Sequence, residues 1–169
     1  TAIAQVLDSL NLAYTVSDVL TEAMMQYRAV LICNGTYQTS VSITDAEVDL
    51  LEDYMNQGGN VYRESFYRWD GIGTLTRLFG IDAVNLSSPQ AFSMVYGLDN
   101  AGFAGLAMEH VATVSIMLNR LIGMYPTAFP VLRTNLGDDA YAAVAYDALQ
   151  YRSIGSVVEF GALAPDDFQ

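Results

Sequence analysis

Apolar positions change their spacing several times along this chain, and each change marks an element. Between Thr1 and Asn11, the residues Ile3, Val6, Leu7 and Leu10 recur on one helical face. Tyr14-Thr15-Val16 predicts a short strand, and Thr21 to Tyr27 a helical turn. Ala29-Val30-Leu31-Ile32-Cys33 is an unbroken apolar run, the pattern of a strand covered on both faces. A helix over Asp45 to Gln57 has a full start signal: Thr44 as N-cap, Glu47 three residues on, and Ile43 and Val48 placed as a hydrophobic staple. Val48, Leu51 and Met55 form its apolar stripe, which Leu50 and Tyr54 widen. Gly58 and Gly59 end it, and Asn60 to Arg63 opens the next strand. Strand, helix and strand make a βαβ unit, so the two strands should be parallel, central and joined by a right-handed crossover.

Further on, Asp70 to Phe79 predicts a helix with Leu75, Leu78 and Phe79 inward, and Ile81 to Val84 a short strand. Asn85 to Gln90 has the composition of a loop. Ala91 to Tyr96 alternates like a strand, whereas Phe103 to Leu121 fits either period. Ala128 to Arg133, Ala140 to Tyr146 and Tyr151 to Phe160 read as strands, the last two as an antiparallel hairpin across a four-residue turn. The expected fold class is α/β: a three-layer flavodoxin-like sheet with parallel central strands and an added hairpin in the C-terminal half. One domain is expected over residues 1–169.

Charge narrows the partners. Nineteen acidic residues, thirteen of them Asp, face seven arginines and no lysine, a formal charge of −12. Nucleic acid and anionic membrane surfaces both call for clustered basic residues, so neither is an expected partner. The acidity reads as a solubility device, with a salt-rich habitat as the sharper alternative. Cys33 is the single cysteine, which excludes an intramolecular disulfide. No apolar run is long enough for a membrane-spanning helix. Apolar content slightly above the ordinary range suggests some apolar surface meant for a neighbour.

The stretches YRAVLICNGTY, ITDAEVDLLEDYMNQGGNVY, LTRLFGIDAV and YAAVAYDALQYRSIGSVVEFGAL, in this order, resemble the class I glutamine amidotransferase-like (flavodoxin-like) domains of large secreted bacterial surface proteins. The resemblance covers most of the chain and implies a secreted or cell-surface location. In such domains a strand precedes the first helix and a helix follows EFGAL, so the resemblance implies a piece of a larger protein. Catalytic members carry a G-x-C-x-G elbow, but here Leu31 stands two residues before Cys33, with Gly35 two after. Their base is a late histidine with an acid two residues on, whereas His110 is preceded by Glu109 and followed by Val111-Ala112. The expectation is therefore a non-catalytic version without a cofactor, acting as an interaction module. Its partners would be other protein chains, neighbouring domains or further copies of itself. A Cys33–His110–Glu109 amidase or peptidase remains the alternative.

Two other sites compete with bland readings. Asn34, Gly35, Thr36 and Tyr37 follow a parallel strand, where open α/β sheets bind carbohydrate or other small ligands; a polar turn accounts for them as well. Tyr62, Arg63, Arg68 and Trp69 are residue types that anchor interfaces, or that pack in a core. Asn135, Asp138 and Asp139 could give oxygens to calcium but lack the spacing of a dedicated loop.

Overall fold

Thr44 starts the central helix as its side chain dictates. In the computed structural model its Oγ1 accepts the Glu47 N–H at 3.3 Å, and the Glu47 Oε2 accepts the Thr44 N–H at 2.9 Å. This closes the capping box of α2 (Asp45–Asn56). Leu51, Tyr54 and Met55 are buried along its inner face, and Gly58 takes a positive φ of 95° just past its end. Thr44→Ala should cost about 1 kcal/mol in urea unfolding. These bonds hold the Glu47 carboxyl below the usual range. Its stabilisation is therefore complete above the ordinary glutamate pKa and is lost as pH falls through the lowered one. A substitution without measurable cost at neutral pH would show the cap to be idle.

The structure describes residues 2–34, 42–66, 69, 73–99, 102–112 and 116–164. The helix crosses between β1 (Ala29–Cys33) and β2 (Asn60–Glu64), which pair in parallel with Leu31 opposite Tyr62 and Cys33 opposite Glu64. Strand β2 also pairs in parallel with β9 (Arg152–Ser156). From β9 the sheet continues antiparallel through β8 (Tyr141–Asp147), β7 (Ala128–Thr134), β4 (Met94–Gly97) and β5 (Ala107–Glu109). Among the described residues the order is β1-β2-β9-β8-β7-β4-β5, a mixed α/β architecture with few helices. The β8–β9 hairpin is present as expected, with Asp147 opposite Arg152.

Several expectations change. Among the described residues β1 pairs on one side only, as the sheet's edge, and Leu31 is 42% exposed, so this strand is neither central nor covered on both faces. Tyr14 to Val16 is not a strand; it has no ladder beside it, and Val16 is 74% exposed. Asn85 to Gln90 lies inside β3 (Ile81–Ala91), which pairs with β6 (Ile116–Gly123) in a separate two-stranded sheet. The ladder is irregular between Asn85 and Gln90, and that is where Pro89 and the two serines are tolerated. Asn119 Nδ2 donates to Asn85 Oδ1 and ties the ribbon just before the irregularity. Residues 116–123 follow the two-residue period, with Met117, Asn119 and Leu121 buried. The helix expected from Asp70 shrinks to α3 (Thr74–Leu78), while 70–72 lie outside the described residues.

The core gathers between α2, α3 and the sheet, around Trp69, Leu51, Met55, Phe79, Ile81 and Val144. The other long helix, α1 (Ala2–Ser9), buries no residue fully.

Candidate functional site

The parallel strands β1, β2 and β9 end together, and their last residues divide by the pleat. Arg63 and Asn34 lie inward: Arg63 is 2% exposed, its Nε donates to Asn34 Oδ1 at 3.1 Å, and its guanidinium stacks on Trp69 at 4.3 Å from the ring centre. The Trp69 Nε1 donates to the Ser65 carbonyl at 2.9 Å and to the Ser156 carbonyl at 3.3 Å. One indole thus ties the ends of β2 and β9 together. Of the two readings open for Arg63 and Trp69, interface anchor or core packing, their burial fits the second. The guanidinium sits over the buried ring and bonds to Asn34, which offsets part of the cost of taking a cation inside. Tyr62 is half-buried, and Arg68 lies outside the described residues.

Tyr62 and Glu64 share the opposite face with Cys33, as alternation and register require. The Glu64 Oε2 accepts the Tyr62 hydroxyl at 2.9 Å and the Phe160 N–H at 2.7 Å. Cys33 is exposed at the end of β1, yet partial desolvation and then the Glu64 carboxylate push its thiol up to about 12. Burial, then Glu64, also raises the Tyr62 hydroxyl well above its usual value. The Glu159 carboxyl is raised by burial first and by Glu64 second. These groups favour a protonated, weakly nucleophilic sulfur. Iodoacetamide labelling of native Cys33 should therefore be slow at pH 8 and accelerate steadily toward pH 12, with fast labelling once the chain is unfolded. Rapid native labelling that levels off below pH 8 would mean an activated thiolate. Glu64, Ser156 and Glu159 carry this site although none stood out in the sequence. The signal available was the two-residue period, which puts Glu64 on the face of Tyr62.

His110 sits at the far side. It forms an isolated bridge with Leu163 just after β5, which five strands separate from β1 in the sheet order, and its ring is 4.5 Å from that of Phe92. Burial lowers its pKa. Glu109 precedes it at the end of β5, and its carbonyl accepts the Ala164 N–H at 3.1 Å. Burial shifts both groups, but the Cys33 thiol is also pushed by Glu64 and Glu159, whereas His110 is shifted by burial alone.

Of the expected ligand loop, Asn34 is buried against Arg63, while Gly35, Thr36 and Tyr37 lie outside the described residues. Two of the calcium candidates are otherwise engaged. The Asn135 Oδ1 accepts the Ser93 and Met94 N–H groups at 3.1 and 3.3 Å, and Asp139 pairs with Arg120. Among the described residues no group of three His, Cys, Asp or Glu side chains is placed to hold a metal. Among them, too, no helix is long and apolar enough to cross a membrane.

No family model matches this chain. No curated protein matches it either. Solved structures do resemble it. A Thermoplasma acidophilum protein described as part of a GMP synthase aligns with TM-score 0.61 and 9% identity, over 94% of this chain and 78% of that one. The mmIFT52 N-terminal domain aligns with TM-score 0.54 and 19% identity, over 92% and 78%. The exo-β-1,4-mannosidase Op5Man5 from Opitutaceae bacterium strain TAV5 aligns with TM-score 0.54 and 12% identity, over 80% of this chain. This chain spans only 21% of that mannosidase. At these identities the likeness concerns the fold alone, a mixed α/β arrangement of strands and helices.

Proposed function

We propose that this chain is a non-catalytic interaction module, of flavodoxin-like layered architecture, within a secreted or cell-surface protein, and that it binds other protein through its N-terminal flank. One observation carries the reading: a long apolar stretch is left at the surface. Leu10, Leu12, Val16 and Val19 are 60, 53, 74 and 59% exposed, and Tyr14, Tyr27 and Leu31 are exposed beside them in the chain. From Ala2 to Ala23 no residue is buried. Scattered exposed apolar residues are ordinary, but a run concentrated in one segment marks a contact surface. The carboxylates around Cys33 argue for the absence of thiolate chemistry.

The test is sedimentation velocity together with binding of a fluorescent apolar dye. The purified chain should bind the dye or self-associate as concentration rises. Leu12→Glu with Val16→Glu should abolish this while leaving the circular dichroism intact. A monomer that binds no dye, or an amidase activity lost in Cys33→Ala, would overturn the reading.

A further inference from the structure

The exposed flank leads into β1, whose outer edge is unpaired among the described residues, and together they define what could sit there. The Arg28 carbonyl accepts the Asn60 N–H at 3.2 Å, and the Asn34 N–H donates to the Glu64 carbonyl at 3.2 Å. Even-numbered residues of this stretch therefore face β2, and Ala29, Leu31 and Cys33 aim their backbone groups the other way. Natural edges are blunted by lysine, proline or a bulge. β1 has none of these: its sequence is AVLIC and its pairing with β2 is regular. The opposite edge of the sheet is treated differently. There the Ala164 N–H donates to the Glu109 carbonyl and the Val111 N–H to the Ala162 carbonyl, so the chain covers β5 itself.

The segment Leu12 to Val16 belongs to no ladder among the described residues. The Tyr27 hydroxyl reaches it, donating to Thr15 Oγ1 at 2.6 Å, and the Leu20 N–H donates to Glu47 Oε1 at 3.4 Å. A whole tyrosine side chain thus spans from the start of β1 to this segment. Charge limits an occupant's chemistry. Residues 2–27 carry Asp8, Asp18 and Glu22 and no lysine or arginine, within a chain of net charge −12.

We infer that the outer edge of β1 accepts one added strand from a partner polypeptide, apolar along its length, flanked by basic residues and parallel to β1. Its orientation follows β1, β2 and β9, which are all parallel. Main-chain hydrogen bonds to Ala29, Leu31 and Cys33 supply the attachment, and the acidic surroundings select basic flanks. A second copy of this chain is a poorer occupant, since it brings the same negative charge. The inference rests on the interaction-module reading and names the partner's chemistry.

The probe is a labelled synthetic peptide of about six alternating valine and threonine residues between lysines, with a glutamate-flanked version as control. Fluorescence anisotropy should show saturable binding of the first, at least about tenfold tighter than the second. Amide exchange at Leu31 should slow about tenfold in the complex. Leu31→Pro removes an N–H that faces away from β2, a position where an edge strand tolerates proline. It should abolish binding while the circular dichroism stays native. The exchange measurement in the unaltered chain decides even if that variant misfolds. Leu31 exchange unchanged by peptide, or binding indifferent to Leu31→Pro, overturns the inference. So does a concentration-dependent dimer that protects Leu31, which would put a second copy at this edge. If the dye and sedimentation results hold and only these fail, the edge inference falls alone; failure of both removes the module reading too.

Discussion

Trp69→Ala is expected to lower stability by about 3–5 kcal/mol, the range for emptying a fully buried large aromatic site. Trp69 is 0% exposed and stands edge-on to Phe79 with ring centres 5.3 Å apart. Its loss opens a cavity and leaves the Ser65 and Ser156 carbonyls without their indole donor. It also removes the ring on which the Arg63 guanidinium lies, and a buried cation stripped of a contact is costly. Against a total of about 5–15 kcal/mol for an ordinary domain, such a loss leaves a chain near its threshold. Thermal unfolding should shift down by on the order of 10 °C, and Trp69→Phe should recover part of that by refilling the space. A shift of only a degree or two would mean that the indole is peripheral and that the strand ends are held by something else.

How much of this was legible depends on whether the signal was local. The β1–α2–β2 unit was readable because its markers sit within a few residues of what they control: Thr44 and Glu47 bond each other, and Gly58 supplies the left-handed turn. The direction of β1 and β2 followed from the crossover, but the place of β1 at the sheet edge did not. Neighbours in a sheet are set by the whole topology, and an apolar run looks the same at an edge as at the centre. Asn85 to Gln90 misled because serine and proline were compatible with an irregular strand, and its partner strand lies about thirty residues away.

The site was less legible than the fold. Arg63 and Trp69 have an interface composition, and only their stacking and the Asn34 hydrogen bond turn them into core. The environment of Cys33 depends on Glu64 across a ladder and on Glu159 from the far end of the chain, distances in sequence that no motif spans. Tyr14 to Val16 had strand-like residues and stayed unpaired. Propensity prepares a strand, but a ladder needs a neighbour.

The second large effect is expected at Gly155. This residue lies in β9 between Val144 and Arg63, and a Cβ added there would stand 2.4 Å from the Ile81 Cδ1 and 2.5 Å from the Trp69 ring. Both neighbours are 0% exposed, so neither can swing into solvent to make room. The reason for glycine is close approach, since nothing in its backbone conformation demands one. Inserting methyl groups into a filled core costs about 1–3 kcal/mol and occasionally more. Gly155→Ala should fall in that range, and Gly155→Val should exceed it because the branched side chain meets both Ile81 and the indole. The cost should be coupled to Trp69, since the two residues contest one volume. In a double-mutant cycle Gly155→Val with Trp69→Leu should be less damaging than the sum of the single changes, by about 1 kcal/mol or more. Urea unfolding of the four proteins measures the coupling. Strict additivity would show that the valine is accommodated elsewhere, by a shift of β9 that leaves the Trp69 contacts intact.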